Sequence, residues 1–75
     1  MIFDHSVPRW IQVAEELRKR ISQGTYAPGT RVPSVIQLSE EFGIAQATGQ
    51  KVLRALREEG LIYTIPGLGS FVVED

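Results

Sequence analysis

Gln46, Ala47, Gln50, Lys51 and Arg54 recur at the spacing of one helix face, and their types suit one kind of chemistry. A glutamine amide carries a donor beside an acceptor and matches the N6 and N7 edge of adenine, while lysine and arginine grip phosphate oxygens. These residues lie in Gly43–Gly60, GIAQATGQKVLRALREEG, which reads as a tight turn followed by one helix. At about 100° per residue, Ala45, Gly49, Val52, Leu53 and Leu56 gather on one face. Gln46, Ala47, Gln50, Lys51, Arg54 and Arg57 fall on the opposite face. One face is small or apolar and the other is rich in amides and bases. Such a helix is suited to reading nucleic acid.

The remaining elements must hold that helix out into solvent. Residues 1–7 have no periodicity and read as a flexible lead-in. Trp10, Val13, Ala14, Leu17 and Ile21 follow the helical repeat, which predicts an amphipathic helix from Pro8 to Gln23 stopped by Gly24. Trp10 is expected as a core anchor. Pro28-Gly29 signals a turn and leaves Thr30–Val32 as a very short strand before Pro33. Ser34, with Gln37 in capping-box spacing, opens a short helix whose inner face is Val35, Leu38, Ser39 and Phe42. Gly43 ends it, and Ile44 plugs the gap to the next helix. Residues 34–59 thus form a helix-turn-helix. Beyond Gly60, Leu61–Ile65 and Ser70–Val73 are β-branched or aromatic and flank Pro66-Gly67-Leu68-Gly69, which predicts a hairpin over residues 61–73. Thr30–Val32 is expected to complete a three-stranded sheet. The predicted fold is α+β, mostly α with a small antiparallel β-sheet, a single winged helix-turn-helix domain over 1–75 in the order α-β-α-α-β-β.

Size and composition narrow the function. A chain of 75 residues has one small core. There is no cysteine and a single histidine, His5, so no metal-ligand spacing, thiol nucleophile or disulfide framework is available. The acids occur as exposed pairs, Glu15-Glu16, Glu40-Glu41 and Glu58-Glu59, none in an apolar setting. No enzyme, cofactor or metal site is expected. The opening residues lack a basic start followed by an apolar run, and no stretch is long enough to cross a bilayer, so a soluble cytoplasmic domain without membrane association is expected. The net charge of −1 is low for a nucleic-acid binder, but one basic face on a dipolar protein still attracts phosphate.

From about Val7 to Val73 the chain closely resembles the DNA-binding domain of the GntR-type bacterial transcription regulators. The resemblance runs through Ile11–Gly24, Ala27–Ser34 (the KPGDRLPS stretch), Leu38–Ile44, Leu53–Ile62 (ALRELEAEGLV) and Gly67–Val72 (the GRGTFV wing). It implies that the second helix of the helix-turn-helix enters the major groove, that the wing reaches the flanking minor groove or backbone, and that a homodimer binds a palindromic operator. A larger effector-binding domain usually follows.

The departures fall on the reading face. Where the family pattern reads roughly VSRTTVREAL, this chain has IAQATGQKVL: Gln46 and Gln50 replace arginines, Ala45 and Ala47 replace hydroxyl residues, and Gly49 replaces an apolar packing residue. Val35-Ile36 replaces Glu-Arg, and Leu68 stands where the wing is usually basic. Base readout is therefore assigned to Gln46, Ala47 and Gln50, with a lean toward A·T pairs. Lys51 and Arg54 are expected on phosphates, with Arg31, Ser34 and Thr48 as weaker backbone contacts. Gly67, Leu68 and Gly69 form the wing tip. Leu68 has no core role and suits either sugar edges in the minor groove or another protein. The partner called for is double-stranded DNA. The alternative is a winged helix that has lost specific DNA binding and docks a protein through the recognition face or wing.

Overall fold

Three helices and a hairpin follow one another in the computed structural model, which describes residues 1–74. They are α1 (Arg9–Ser22), α2 (Val35–Phe42), α3 (Gln46–Glu58), β1 (Ile62–Ile65) and β2 (Gly69–Val72). One cluster forms the core: Val13, Ala14 and Leu17 from α1, Leu38 and Phe42 from α2, Ile44 from the turn, Val52, Leu53 and Leu56 from α3, and Val32, Ile62 and Val72. Trp10 and Ile21 are partly buried against it, as anchors at the ends of the α1 stripe.

Local chemistry sets the boundaries. Pro8 occupies the N-cap of α1 rather than its first turn, and its carbonyl accepts the amides of Ile11 and Gln12. The lead-in, expected as flexible, is docked from Phe3 onward. Gln12 donates to the carbonyls of Asp4 (2.8 Å) and Val7 (2.9 Å) and accepts the Asp4 amide, while Phe3 packs on the core under Arg9. The docking groups are backbone atoms of a short turn, which leave no periodic trace in sequence. At α2 both bonds of the capping box are present: Ser34 Oγ accepts from the Gln37 amide and the Gln37 side chain accepts from the Ser34 amide. Gly60 ends α3 with φ +77, its amide bonding the Arg57 carbonyl while Leu61 bonds the Leu56 carbonyl. This left-handed closure satisfies the last helical carbonyls and turns the chain into the wing.

The helix-turn-helix is pinned at two points. Ser39 Oγ donates to the Ile44 carbonyl at 2.6 Å, across the turn. Gly49 is buried against α2, where an added Cβ would lie 3.4 Å from the Val35 carbonyl oxygen and 3.7 Å from Leu38 Cβ. Ala45, expected on the covered face with Gly49, is exposed. It is the N-cap of α3, and its extended ψ of 151° takes it out of the helical repeat.

The sheet proper has two antiparallel strands, with Ile62, Tyr63, Thr64 and Ile65 opposite Val72, Phe71, Ser70 and Gly69. The expected third strand is reduced to a single bridge, Arg31 opposite Phe71. The Val32 amide still bonds the Ser70 carbonyl and the Val72 amide the Thr30 carbonyl, both at 2.9 Å. Pro28-Gly29 on one side and Pro33 on the other leave no room for a longer ladder. The regular elements therefore run α-α-α-β-β, with the bridging segment between α1 and α2.

Much of the charge is spent inside the fold. Arg18 makes two 2.8 Å bonds to Glu59, tying α1 to the end of α3. Arg20 bonds Glu16, Glu41 and the Tyr26 hydroxyl, and its guanidinium lies 5.3 Å from the Phe42 ring centroid. One side chain thus joins α1, the following loop and α2.

Two stability predictions follow from these contacts. Gly49→Ala places a methyl at ordinary contact distance and gains helix propensity, so thermal unfolding should show stabilisation of up to about 1 kcal/mol. Gly49→Leu should instead lose about 1–3 kcal/mol by overpacking. The Arg18 hydrogen bond holds the Glu59 pKa below its usual value. A carboxyl depressed in the fold stabilises it above the unfolded pKa, and that share is lost as pH falls through the folded value. Both side chains are 40% exposed, so Glu59→Gln should cost at most about 1 kcal/mol near neutral pH. Urea titrations should show that difference shrink as pH falls below the ordinary glutamate range.

Candidate nucleic-acid interface

The outer face of α3 is bare. Gln46, Ala47, Gln50, Lys51, Arg54 and Arg57 are all exposed, while Gly49, Val52, Leu53 and Leu56 are buried beneath them. Among the described residues, no side-chain hydrogen bond or ion pair engages Gln46, Gln50 or Arg54; the outermost arginine, Arg57, is the one tied back. Gln46 and Gln50 stand one helical turn apart, each offering a free amide. No side chain caps the α3 N-terminus, because the Ala45 methyl offers no acceptor.

Two grooves flank α3, and their charges differ. Toward α1, Trp10, Ile11 and Ala14 share a groove with Glu15, Arg18, Glu58 and Glu59. Toward the wing, a groove of about 270 Å³ is lined by Ser34, Val35, Gln50, Leu53, Arg57, Thr64, Gly69 and Ser70. Three carboxylates face the first and none the second. The wing-side groove therefore presents no carboxylate to a polyanion, whereas the α1-side groove sets three beside Arg18.

The other sequence-predicted residues divide. Ser34 is exposed and lines the wing-side groove, its oxygen accepting the Gln37 amide. Thr48 is half-buried. Lys51 is exposed, but its ammonium is 4.9 Å from the Trp10 ring centroid, so it rests on a cation–π contact with α1. Arg31 is not on the α3 face. Its guanidinium bonds the Leu68 carbonyl and lies 5.9 Å from the Phe71 ring centroid, which places it on the wing. Gly67, Leu68 and Gly69 lie at the free end of the hairpin, with Leu68 57% exposed.

One connection escaped the sequence reading. Arg57 Nη1 donates to Thr64 Oγ1 at 2.6 Å, and Thr64 Oγ1 lies 2.8 Å from the buried Ser70 Oγ. This relay fastens the last turn of α3 to both wing strands. Its sequence signal is faint: Thr64 and Ser70 occupy one cross-strand pair, but nothing in their spacing points to Arg57.

The family described as bacterial regulatory proteins, gntR family, matches residues 11–72. The chain belongs to that family. It is similar to the mannosyl-D-glycerate transport/metabolism system repressor MngR of Escherichia coli (strain K12), 34% identical over 68 residues, covering 91% of this chain and 28% of that protein. It is likewise similar to the HTH-type transcriptional repressor NagR of Bacillus subtilis (strain 168), 36% identical over 66 residues, covering 88% of this chain and 27% of that protein. The gntR-family chain thus spans about a quarter of the length of those relatives. Among solved structures, a GntR family transcriptional regulator from Listeria monocytogenes superposes with a TM-score of 0.93 at 33% identity, over 97% of this chain and 64% of that one. The DNA-binding domain of AraR in complex with operator ORR3 does so at 0.87 and 32%, over 97% and 88%. The fold is the winged helix-turn-helix. Among the described residues no helix is long and apolar enough to cross a membrane and no cluster of metal-ligating residues occurs.

Trp10 is the one tryptophan of the chain, so its emission reports the ammonium above it. A DNA duplex that draws Lys51 off the ring should change tryptophan fluorescence during titration. In the Lys51→Gln protein the change should be absent.

Proposed function

We propose that the chain reads double-stranded DNA by sequence as the DNA-binding part of a transcription regulator. In this reading α3 lies in the major groove with Gln46, Ala47 and Gln50 against base edges. Lys51 and Arg54 hold phosphates, Ser34 and Thr48 make weaker backbone contacts, and Gly67, Leu68 and Gly69 carry the wing to the flanking groove or backbone. The observation that carries it is the pair of unpartnered, exposed amides of Gln46 and Gln50 on the free face of a helix pinned from behind. The AraR neighbours, solved with operators, support duplex DNA as the partner. Because one small module with few free bases has limited affinity, the chain acts as a homodimer on a palindromic operator. Its action on chromosomal DNA places it in the cytoplasm, and its role is recognition without catalysis.

Glutamine favours adenine as arginine favours guanine, so the half-site leans toward A·T. A second reading, docking of a protein through the recognition face or the wing, is favoured by one feature: Leu68 on the wing is 57% exposed.

Selection from a random-sequence duplex pool at two salt concentrations decides between them. An A·T-leaning motif with two-fold symmetry is the expected result. Salt-steep binding without enrichment would reduce the function to phosphate gripping, and no binding at low salt would leave the protein-docking reading. Against the enriched duplex, Gln50→Ala should relax specificity at one base pair by about 1–3 kcal/mol. Lys51→Ala should weaken all sequences alike and lower the salt slope by about 1.

A further inference from the structure

We infer that Arg31 is a positioning residue for the wing tip, acting on DNA through Leu68 rather than gripping phosphate itself. The inference rests on the DNA-reading function proposed above and gives the wing's reach a specific cause.

Beyond the last strand pair, Ile65 opposite Gly69, the tip is a three-residue turn closed by one backbone bond, from the Leu68 amide to the Ile65 carbonyl. Such a tip is free to swing, since a short hairpin has little stability of its own. Among the described residues, the hydrogen bond from Arg31 to the Leu68 carbonyl is the one that ties this turn to the rest of the molecule. Three features fix the guanidinium that makes it. The backbone of Arg31 is bridged to Phe71, so the side chain starts from a defined place on the sheet. Its guanidinium lies over the Phe71 ring, which itself stacks on Tyr63 at 5.7 Å between centroids. Gly69 makes room for it: a Cβ there would sit 3.2 Å from Arg31 Nε, and φ of +123° already disfavours a side chain. Gly69 thus serves the guanidinium as well as the turn. The result is an arginine anchored between α1 and α2 that holds an exposed leucine at the far end of the hairpin.

The test compares wild type with Arg31→Met, which keeps the stem and removes the donors. In the free chain, the heteronuclear NOE of the Gly67, Leu68 and Gly69 amides should fall in Arg31→Met while those of α3 stay unchanged. Affinity for the duplex that wild type enriches from a random pool should drop about three- to tenfold, the size of one lost hydrogen-bonded tether. Its salt slope should not change, and the loss should disappear in a Leu68→Gly background. A slope shallower by about 0.9 would make Arg31 a phosphate contact. That result, a loss that persists in Leu68→Gly, or a tip whose amides are unmoved by Arg31→Met would each overturn the inference. Should Arg31→Met fail to fold, the wild-type protein decides alone: NOEs from the Arg31 guanidinium protons to Leu68 are expected, and their absence overturns it. If wild type enriches no duplex, the DNA-reading function fails, while the tip amides still decide whether Arg31 holds the wing.

Discussion

The crossing of α2 over α3 sets the geometry of everything else. At Gly49 the two helices come so near that a methyl group would touch the Val35 carbonyl, and across the turn Ser39 binds the Ile44 carbonyl. These two contacts fix both the separation and the rotation of α3. With Val52, Leu53 and Leu56 turned into the core, the opposite face has nowhere to go but solvent. The reading face is thus a consequence of packing behind it. A larger residue at position 49 would alter the angle at which Gln46 and Gln50 are presented, even though neither would be touched.

Charge is distributed with the same economy. Of the arginines, Arg18 and Arg20 are bound to carboxylates, Arg57 to Thr64 and Arg31 to the wing. The ion pairs of Arg18 and Arg20 offset positive charge that could neutralise DNA phosphates, while Arg57 and Arg31, bonded to neutral acceptors, keep theirs but are held in place. The remaining free bases near α3 are few, so the salt-dependent, sequence-blind part of binding is modest. In the proposed function, discrimination then comes from geometry at the bases. Unpartnered amides on a rigid helix suit that role, because each must find its complement on the base edge or remain unsatisfied.

The fold was legible where side chains repeat. The stripe of Val13, Ala14 and Leu17, the Ser34–Gln37 box, and Gly43 and Gly60 as stops each state a local preference that the structure obeys. Legibility failed where backbone groups or distant partners decide. The docking of residues 3–7 depends on Gln12 meeting carbonyls, and the third strand shrank to one bridge because two prolines bound it. At the site, the exposed amides followed from periodicity alone. The placements of Arg31, Arg57 and Lys51 did not, since each partner lies on another element and long basic side chains can reach several. Ala45 was misplaced for a simpler reason, as the helical repeat was extended one residue past the true start of α3.

The wing is where these strands of argument meet. A hairpin this short is marginal alone, and here two arginines from outside it fasten its outer half. Arg57 clamps the third of its four strand pairs through Thr64 and Ser70, so the wing inherits its orientation from the last turn of α3. Arg31 holds the tip, so its reach is set from the segment before α2. Helix and wing are consequently one rigid unit with the wing-side groove between them. A duplex that seats α3 meets the tip at a fixed offset. In the proposed DNA-reading function, contacts at the two places are therefore coupled through these arginine side chains, and an error in register at one is felt at the other.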